Sequence, residues 1–210
     1  MKESIFSVGL GRVHANVAPL TPIAFLPRSA AIYPDRTAII HGQRRISYRA
    51  FDARARRLAS ALAARGIGEG DTVAVVLPNV PAMLEVHHGV PMLGAVLNSI
   101  NTRLDARTIA YILAHGEAKA LITDREFSAT VGAALAALDT KPRVIDLDDP
   151  LYEGPGERLG EIEYEDLLAL GSPEFAPAPI RDEWQPMALS YTSGTTGNPK
   201  GVVCITGAPG

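Results

Sequence analysis

Apolar residues are grouped along this chain in a way that predicts alternating strands and helices. Helical segments are predicted to begin at Pro81, to follow the N-cap Asp105, and to run over residues 127–138. Between the helices lie runs with the length and continuous apolar character of buried strands: residues 71–77, 96–100, 118–123, 143–147 and 187–191. This alternation predicts an α/β fold, with an open, mostly parallel sheet flanked by helices.

Residues 21–66 precede this alternation and predict two helices separated by a hairpin. Thr21 is a suitable N-cap, and Pro22 suits the first helical position. Because an interior proline costs a helix about 3 kcal/mol, Pro27 predicts a kink or a shortened helix. Ser47 is a second N-cap, and the apolar positions that follow it repeat with the helical period.

A change in composition near residue 180 predicts a domain boundary. Residues 171–179 are rich in Gly, Pro and Ala, as linkers are. We predict that residues 1–180 form an N-terminal α/β subdomain and that residues 181–210 begin a second subdomain. The strand over 187–191 is then the first element of that second unit.

The composition is that of a globular protein and gives no reason to expect nucleic acid as a partner. Of the 210 residues, 47% are hydrophobic and 20% are charged, with a net charge of −3. The single cysteine, Cys204, fits a reducing compartment, and no apolar run approaches the roughly 18 residues of a spanning helix. We therefore predict a cytoplasmic protein. With this overall charge, we interpret the arginines of the helix after Ser47 as a solvated face: Arg49, Arg54, Arg56, Arg57 and Arg65.

The strongest chemical signal runs from Tyr191 to Gly201 and reads Tyr-Thr-Ser-Gly-Thr-Thr-Gly-Asn-Pro-Lys-Gly. It combines four Ser and Thr hydroxyls with three glycines and a lysine. Glycines let backbone N–H groups turn inward around an anion, and each hydrogen bond to a charged group contributes about 1.5–3 kcal/mol. The stretch therefore predicts a phosphate-binding loop. It is not the loop of P-loop nucleotide hydrolases, because Pro199 precedes Lys200 and a strand pattern follows where that loop needs a helix.

This stretch also resembles, nearly residue for residue, the signature of the AMP-forming adenylating enzymes: acyl-CoA synthetases, luciferases and peptide-synthetase adenylation domains. Other stretches look like the N-terminal region of that family, most of all like bacterial fatty-acyl-CoA and 3-(methylthio)propionyl-CoA ligases: residues 33–38, 58–63, 70–75, 77–84 and 98–104. The resemblance implies the first α/β subdomain of the family's N-terminal portion. It also implies a ligase that converts a carboxylate and ATP into an acyl-adenylate and pyrophosphate, after which coenzyme A displaces AMP.

By this resemblance the loop would hold the phosphates of ATP, with the hydroxyl of Thr192 near Mg²⁺. The residues assigned to ATP are Thr192, Ser193, Gly194, Thr195, Thr196, Gly197, Asn198, Pro199 and Lys200. Lys200 would be a phosphate clamp and not the family's catalytic lysine, so no catalytic residue is predicted in this chain. The resemblance implies four partners: ATP, Mg²⁺, coenzyme A and a small carboxylic acid. It leaves a homodimer open as the oligomeric state.

The last residues depart from the family pattern. After residues 200–203, family members continue with Tyr or Ser and then His and Arg-Gly, whereas residues 204–210 read Cys-Ile-Thr-Gly-Ala-Pro-Gly. Codons exist for residues 204–208 that read Tyr-His-Arg-Gly when shifted by two bases. We therefore hypothesise a frameshifted or truncated ligase, and expect weak ATP binding and no turnover from this chain alone.

Two other functions stay open at this point. One is a different adenylating enzyme, such as an aryl-acid or peptide-synthetase activating domain, which the substrate acid would distinguish. The other is a non-catalytic module that binds a nucleotide or a partner. Cooperative unfolding of the isolated chain would support that second alternative.

Overall fold

Strands and helices alternate as predicted. A computed structural model describes Gly9 and residues 21–180, 183–192 and 198–207. The helices are α1 (Phe25–Ile32), α2 (Tyr48–Ala63), α3 (Pro81–Met92), α4 (Ala106–His115), α5 (Ser128–Ala136) and α6 (Tyr164–Leu170). The strands are β1 (Thr37–His41), β2 (Arg44–Ser47), β3 (Thr72–Val76), β4 (Val96–Ser99), β5 (Ala118–Asp124), β6 (Arg143–Leu147), β7 (Ile162–Glu163), β8 (Pro186–Thr192) and β9 (Lys200–Ile205). Short 3₁₀ turns lie at Pro22–Ala24 and Arg125–Phe127. None of the helices described is long and apolar enough to cross a membrane.

Seven strands form one sheet, in the order β7-β6-β5-β3-β4-β8-β9. Neighbouring strands are parallel except β8 and β9, which are antiparallel. The strands β1 and β2 form a separate hairpin. The mostly parallel sheet confirms the predicted α/β fold.

Each face of the sheet has its own hydrophobic core. On one face, Val73 and Val75 of β3 pack with α1, α2, α3 and α6. On the other face, Ala74 and Val76 pack with α4 and α5. Successive strand residues point to opposite faces, so a strand covered on both sides must be apolar at nearly every position. All of β3 is accordingly buried.

Three of the predicted helix starts are confirmed by side-chain caps. Thr21, Ser47 and Asp105 each accept a hydrogen bond from a backbone N–H group in the turn that follows. Pro27 lies in the first turn of α1, where a backbone N–H has no intrahelical acceptor, so the proline removes no helical hydrogen bond. Of the two expectations, the shortened helix is the one observed: a 3₁₀ turn is followed by a short α-helix.

The solvated surface predicted for the α2 arginines is wrong for three of them. The Arg54 side chain is only 17% exposed and contacts two carboxylates. Arg56 donates a hydrogen bond to the backbone carbonyl of Phe175, and Arg57 donates to that of Gly171. Arg56 and Arg57 thus hold the segment after α6 against α2, which local charge patterning could not show.

The strands on either side of residue 180 lie in the same sheet. β8 pairs with β4 through Ala188 and Leu189. β9 then pairs with β8 and is the last strand of the sheet as described. The division into residues 1–180 and 181–210 stays a prediction, and its two parts share this sheet.

Candidate phosphate-binding site

The predicted phosphate loop connects β8 to β9. β8 ends at Thr192, β9 begins at Lys200, and these two residues are partners in the antiparallel register. The residues of the motif that fall outside the described part of the chain are Ser193, Gly194, Thr195, Thr196 and Gly197. Their assigned contacts with ATP therefore stay predictions, and the structure places the two ends of the loop.

The two ends of the loop present polar groups to solvent. Thr192, Asn198 and Lys200 are exposed, and Pro199 is half-buried. Directly opposed residues of an antiparallel pair carry their side chains on the same face of the sheet. The Thr192 hydroxyl and the Lys200 ammonium therefore flank one side of the loop's neck, where both can reach an anion.

A cavity of about 330 Å³ lies beside this neck. It opens between the end of β4, helix α4 and the β8–β9 hairpin. Its lining residues are Asn98, Ser99, Ile100, Asn101, Leu104, Ile112, Ser190, Tyr191, Thr192 and Pro199. The cavity is at the carboxyl ends of the parallel strands, which is where open α/β sheets bind ligands. The family-like stretch over residues 98–104 supplies half of its lining, a location that the sequence did not indicate.

The neck is held to the core through Tyr191. Its hydroxyl lies 2.7 Å from His115 Nδ1 at the end of α4, and the two rings meet edge-on with centroids 5.7 Å apart. Tyr111 stacks on His115 with centroids 5.3 Å apart. Burial, followed by the nearby Tyr111, raises the pKa of Tyr191, so its hydroxyl stays protonated at neutral pH. This cluster was not predicted from the sequence, although the spacing of Tyr111 and His115 places them on one helix face.

A second polar cluster lies on the opposite face of the sheet. Glu85 is 0% exposed, and its carboxylate accepts hydrogen bonds from Arg54 Nε at 2.6 Å and from the Tyr164 hydroxyl at 2.9 Å. Arg54 also donates to Glu165. Burial lowers the pKa of Arg54, but the hydrogen bonds to Glu165 and Glu85 outweigh it and the net change is upward. This cluster joins α2, α3 and α6, and we assign it to stability.

The metal assignment also stays a prediction. Within residues 21–180, 183–192 and 198–207, no group of three or more His, Cys, Asp or Glu is placed to hold a metal ion. A hydroxyl oxygen such as that of Thr192 suits Mg²⁺ as one ligand. Mg²⁺ commonly completes its six positions with waters and substrate phosphates. The donor set at the neck therefore fits a magnesium ion that arrives with a nucleotide.

Fold and motif together are those expected of one class of protein, the α/β enzymes that use a nucleotide. The parallel sheet, its two helical layers and a Gly-, Ser- and Thr-rich hairpin at the carboxyl ends of the strands are the defining features. The family described as AMP-binding enzyme matches residues 26–208. The chain belongs to this family.

Curated relatives of the chain are CoA ligases. The peroxisomal acetate/butyrate–CoA ligase of Arabidopsis thaliana is 46% identical over 205 residues, which cover 92% of this chain and 36% of the relative. The peroxisomal trans-cinnamate:CoA ligase of Petunia hybrida is 44% identical over 208 residues, with the same two coverages of 92% and 36%. The chain therefore spans little more than a third of the length of these relatives.

Solved structures of the same kind share the fold. A putative long-chain-fatty-acid CoA ligase from Rhodopseudomonas palustris superposes with a TM-score of 0.73 at 28% identity, covering 90% of this chain and 45% of the other. An anthranilate CoA ligase in complex with anthranoyl-AMP superposes with a TM-score of 0.81 at 22% identity, covering 92% and 36%. The second likeness shows the fold alone. Together with the relatives, these structures confirm the predicted family and its α/β subdomain.

Proposed function

We propose that this chain is the N-terminal part of an ATP-dependent acid–CoA ligase. In that reaction a carboxylate oxygen attacks the α-phosphate of ATP, which forms an acyl-adenylate and releases pyrophosphate. The thiol of coenzyme A then attacks the acyl carbon, forming acyl-CoA and releasing AMP. The observation that carries the proposal is the family match over residues 26–208, which includes the loop between β8 and β9.

The proposed task of this part of the enzyme is to hold ATP by its phosphates. Lys200 and Thr192 flank the neck on one side, so a triphosphate seated in the loop is within reach of an ammonium and a hydroxyl. Residues 193–199 would add backbone N–H groups and hydroxyls. By holding the β- and γ-phosphates, the loop would align the α-phosphate for attack by the carboxylate. Its contribution to catalysis would be positioning and charge stabilisation.

We propose a small monocarboxylic acid as the substrate. The names of the relatives support this class, since they specify acetate or butyrate in one case and trans-cinnamate in the other. Coenzyme A and Mg²⁺ are the co-substrate and metal that the proposal requires. The cytoplasmic location and the homodimer stay predictions; both named relatives are peroxisomal, and a single cysteine is compatible with either compartment.

Binding of Mg·ATP to the chain, measured by isothermal titration calorimetry, tests the loop's role. Lys200→Ala removes one charged hydrogen bond to phosphate and is expected to weaken binding about tenfold or more. Lys119→Ala is a matched control, because Lys119 pairs with Asp71 at 2.6 Å at the other end of the sheet and should leave binding unchanged. Equal affinities of the wild type, Lys200→Ala and Lys119→Ala would contradict the proposal that the loop binds ATP.

A further inference from the structure

The end of β8 that carries the loop has few backbone attachments to the core. In the described part of the chain, β8 pairs with β4 at Ala188 and Leu189, and this ladder stops there. On its other side β8 pairs with β9 as far as Thr192, and β9 is the last strand of the sheet among the described residues. Within that part of the chain, the contacts that join the hairpin to the core from Ser190 onward are side-chain contacts.

The described side-chain link at this end is the contact between Tyr191 and His115. The hydroxyl of Tyr191 and Nδ1 of His115 are 2.7 Å apart, which is the distance of a strong hydrogen bond. The Tyr191 ring also meets the imidazole edge-on. Tyr111 stacks on the imidazole from one helical turn earlier. The stacked Tyr111 ring thus orients the imidazole, whose Nδ1 faces the Tyr191 hydroxyl of β8.

The end of α4 is fixed close to β8. A Cβ added to Gly116 would lie 3.1 Å from Nδ2 of Asn98 in β4 and 3.3 Å from Cδ2 of Leu189 in β8. Contacts this tight leave no room for a side chain, so the helix end and the strand lie in close contact. Ile112 and Leu113 of the same helix are buried in the core. His115 is therefore attached to the core's rigid part, while Tyr191 belongs to the hairpin.

We propose that His115 is a positioning residue for the phosphate loop and acts through Tyr191. This inference rests on the proposed function, in which residues 192–200 bind phosphate. Thr192 follows Tyr191 directly and is the register partner of Lys200, so a shift of Tyr191 moves both ends of the loop. Anion binding by oriented donors is sensitive to displacements of about 1 Å. His115 fixes the neck in the orientation that the ligand requires and does not contact the ligand.

Calorimetric titration of the 210-residue chain with inorganic triphosphate and Mg²⁺ tests this proposal, because that probe engages the loop without a nucleobase. Tyr191→Phe and His115→Phe each remove the hydrogen bond and keep a ring. We expect each to weaken binding about three- to tenfold, and the double variant to weaken it by no more than about the same factor. The thermal midpoint without ligand should stay within about 2 °C, since His115 is exposed and Tyr191 is half-buried.

Two further variants separate positioning from a general effect of substitution. His115→Asn puts an amide near the place of Nδ1 and should restore most of the affinity. His87→Phe changes an exposed histidine of α3 whose Nδ1 lies 2.6 Å from the carbonyl oxygen of Met83 in its own helix, and should bind like the wild type. A wild-type chain that binds no triphosphate contradicts the phosphate loop itself, and with it this inference. A wild-type chain that binds, with Tyr191→Phe and His115→Phe equal to it, overturns the inference alone.

Discussion

Replacing Arg54 with methionine removes the cationic partner of a fully buried carboxylate. The guanidinium donates to both oxygens of Glu85, at 2.6 and 3.1 Å, and the Tyr164 hydroxyl donates at 2.9 Å. In Arg54→Met only the tyrosine bond remains. Leaving one member of a buried ion pair without its partner costs about 3–5 kcal/mol. We expect the free energy of unfolding to fall by that amount.

The size of the loss should depend on the charge that is left behind. Tyr164→Phe removes one hydrogen bond to the same carboxylate and should cost about 1–3 kcal/mol. The double variant Arg54→Met with Glu85→Leu leaves no buried charge, so it should lose less than Arg54→Met alone. A simple loss of packing would give the opposite order, because the double variant changes more atoms.

Urea unfolding at neutral pH, followed by circular dichroism, measures these differences provided that the slope with denaturant stays constant. Arg49→Met is the matched control on α2, since Arg49 pairs with Asp35 and the two side chains are 67% and 84% exposed. Exposed pairs contribute about 0–1 kcal/mol, so this variant should stay close to wild type. The reasoning is refuted if Arg54→Met loses no more than Arg49→Met, or if the double variant is the least stable protein.

Three other substitutions test packing and pH dependence. A Cβ on Gly89 of α3 would lie 2.8 Å from the carbonyl oxygen of Ala55, so Gly89→Ala should destabilise by about 1–3 kcal/mol in urea unfolding although alanine is the better helix former. Gly132→Ala in α5, where the nearest atom would be Leu159 Cδ2 at 3.5 Å, should instead stabilise by up to about 1 kcal/mol; changes of the same sign would contradict this reasoning. Burial, followed by the charge of the neighbouring histidine, lowers the pKa of His88. The unfolded chain therefore takes up this proton at a higher pH than the folded chain, so stability should fall as the pH drops below about 6.5 and through the folded pKa. In thermal melts, His88→Gln should flatten that part of the dependence of stability on pH. An unchanged slope would oppose this assignment.

The α/β fold could be predicted because its strands are buried on both sides. Each position of β3 faces one of two helical layers, so the run at residues 72–76 is buried throughout, and the helix that follows begins at a proline. The order of the strands could not be predicted in the same way. β8 lies beside β4 and near the opposite edge of the sheet from β7, the strand before it in sequence, a placement that depends on tertiary packing.

The candidate site was predictable where it is contiguous and not where it is assembled. The motif over residues 191–201 is one uninterrupted stretch, so its composition alone indicated phosphate. The His115–Tyr191 contact joins residues 76 positions apart, and no local pattern connects them. Glu85 did give a signal, since it is an acidic residue in an otherwise apolar part of α3, and a buried carboxylate requires a cation such as Arg54.

The central claim is that this chain supplies the ATP-binding part of an acid–CoA ligase. Its most direct test is a chimera in which residues 21–203 replace the matching region of the Arabidopsis thaliana acetate/butyrate–CoA ligase. We predict that the folded chimera releases pyrophosphate when Mg·ATP and butyrate are both present, and that Lys200→Ala slows this release about tenfold or more. A chimera that melts cooperatively yet releases no pyrophosphate with acetate or butyrate, or that is indifferent to Lys200→Ala, would contradict the account.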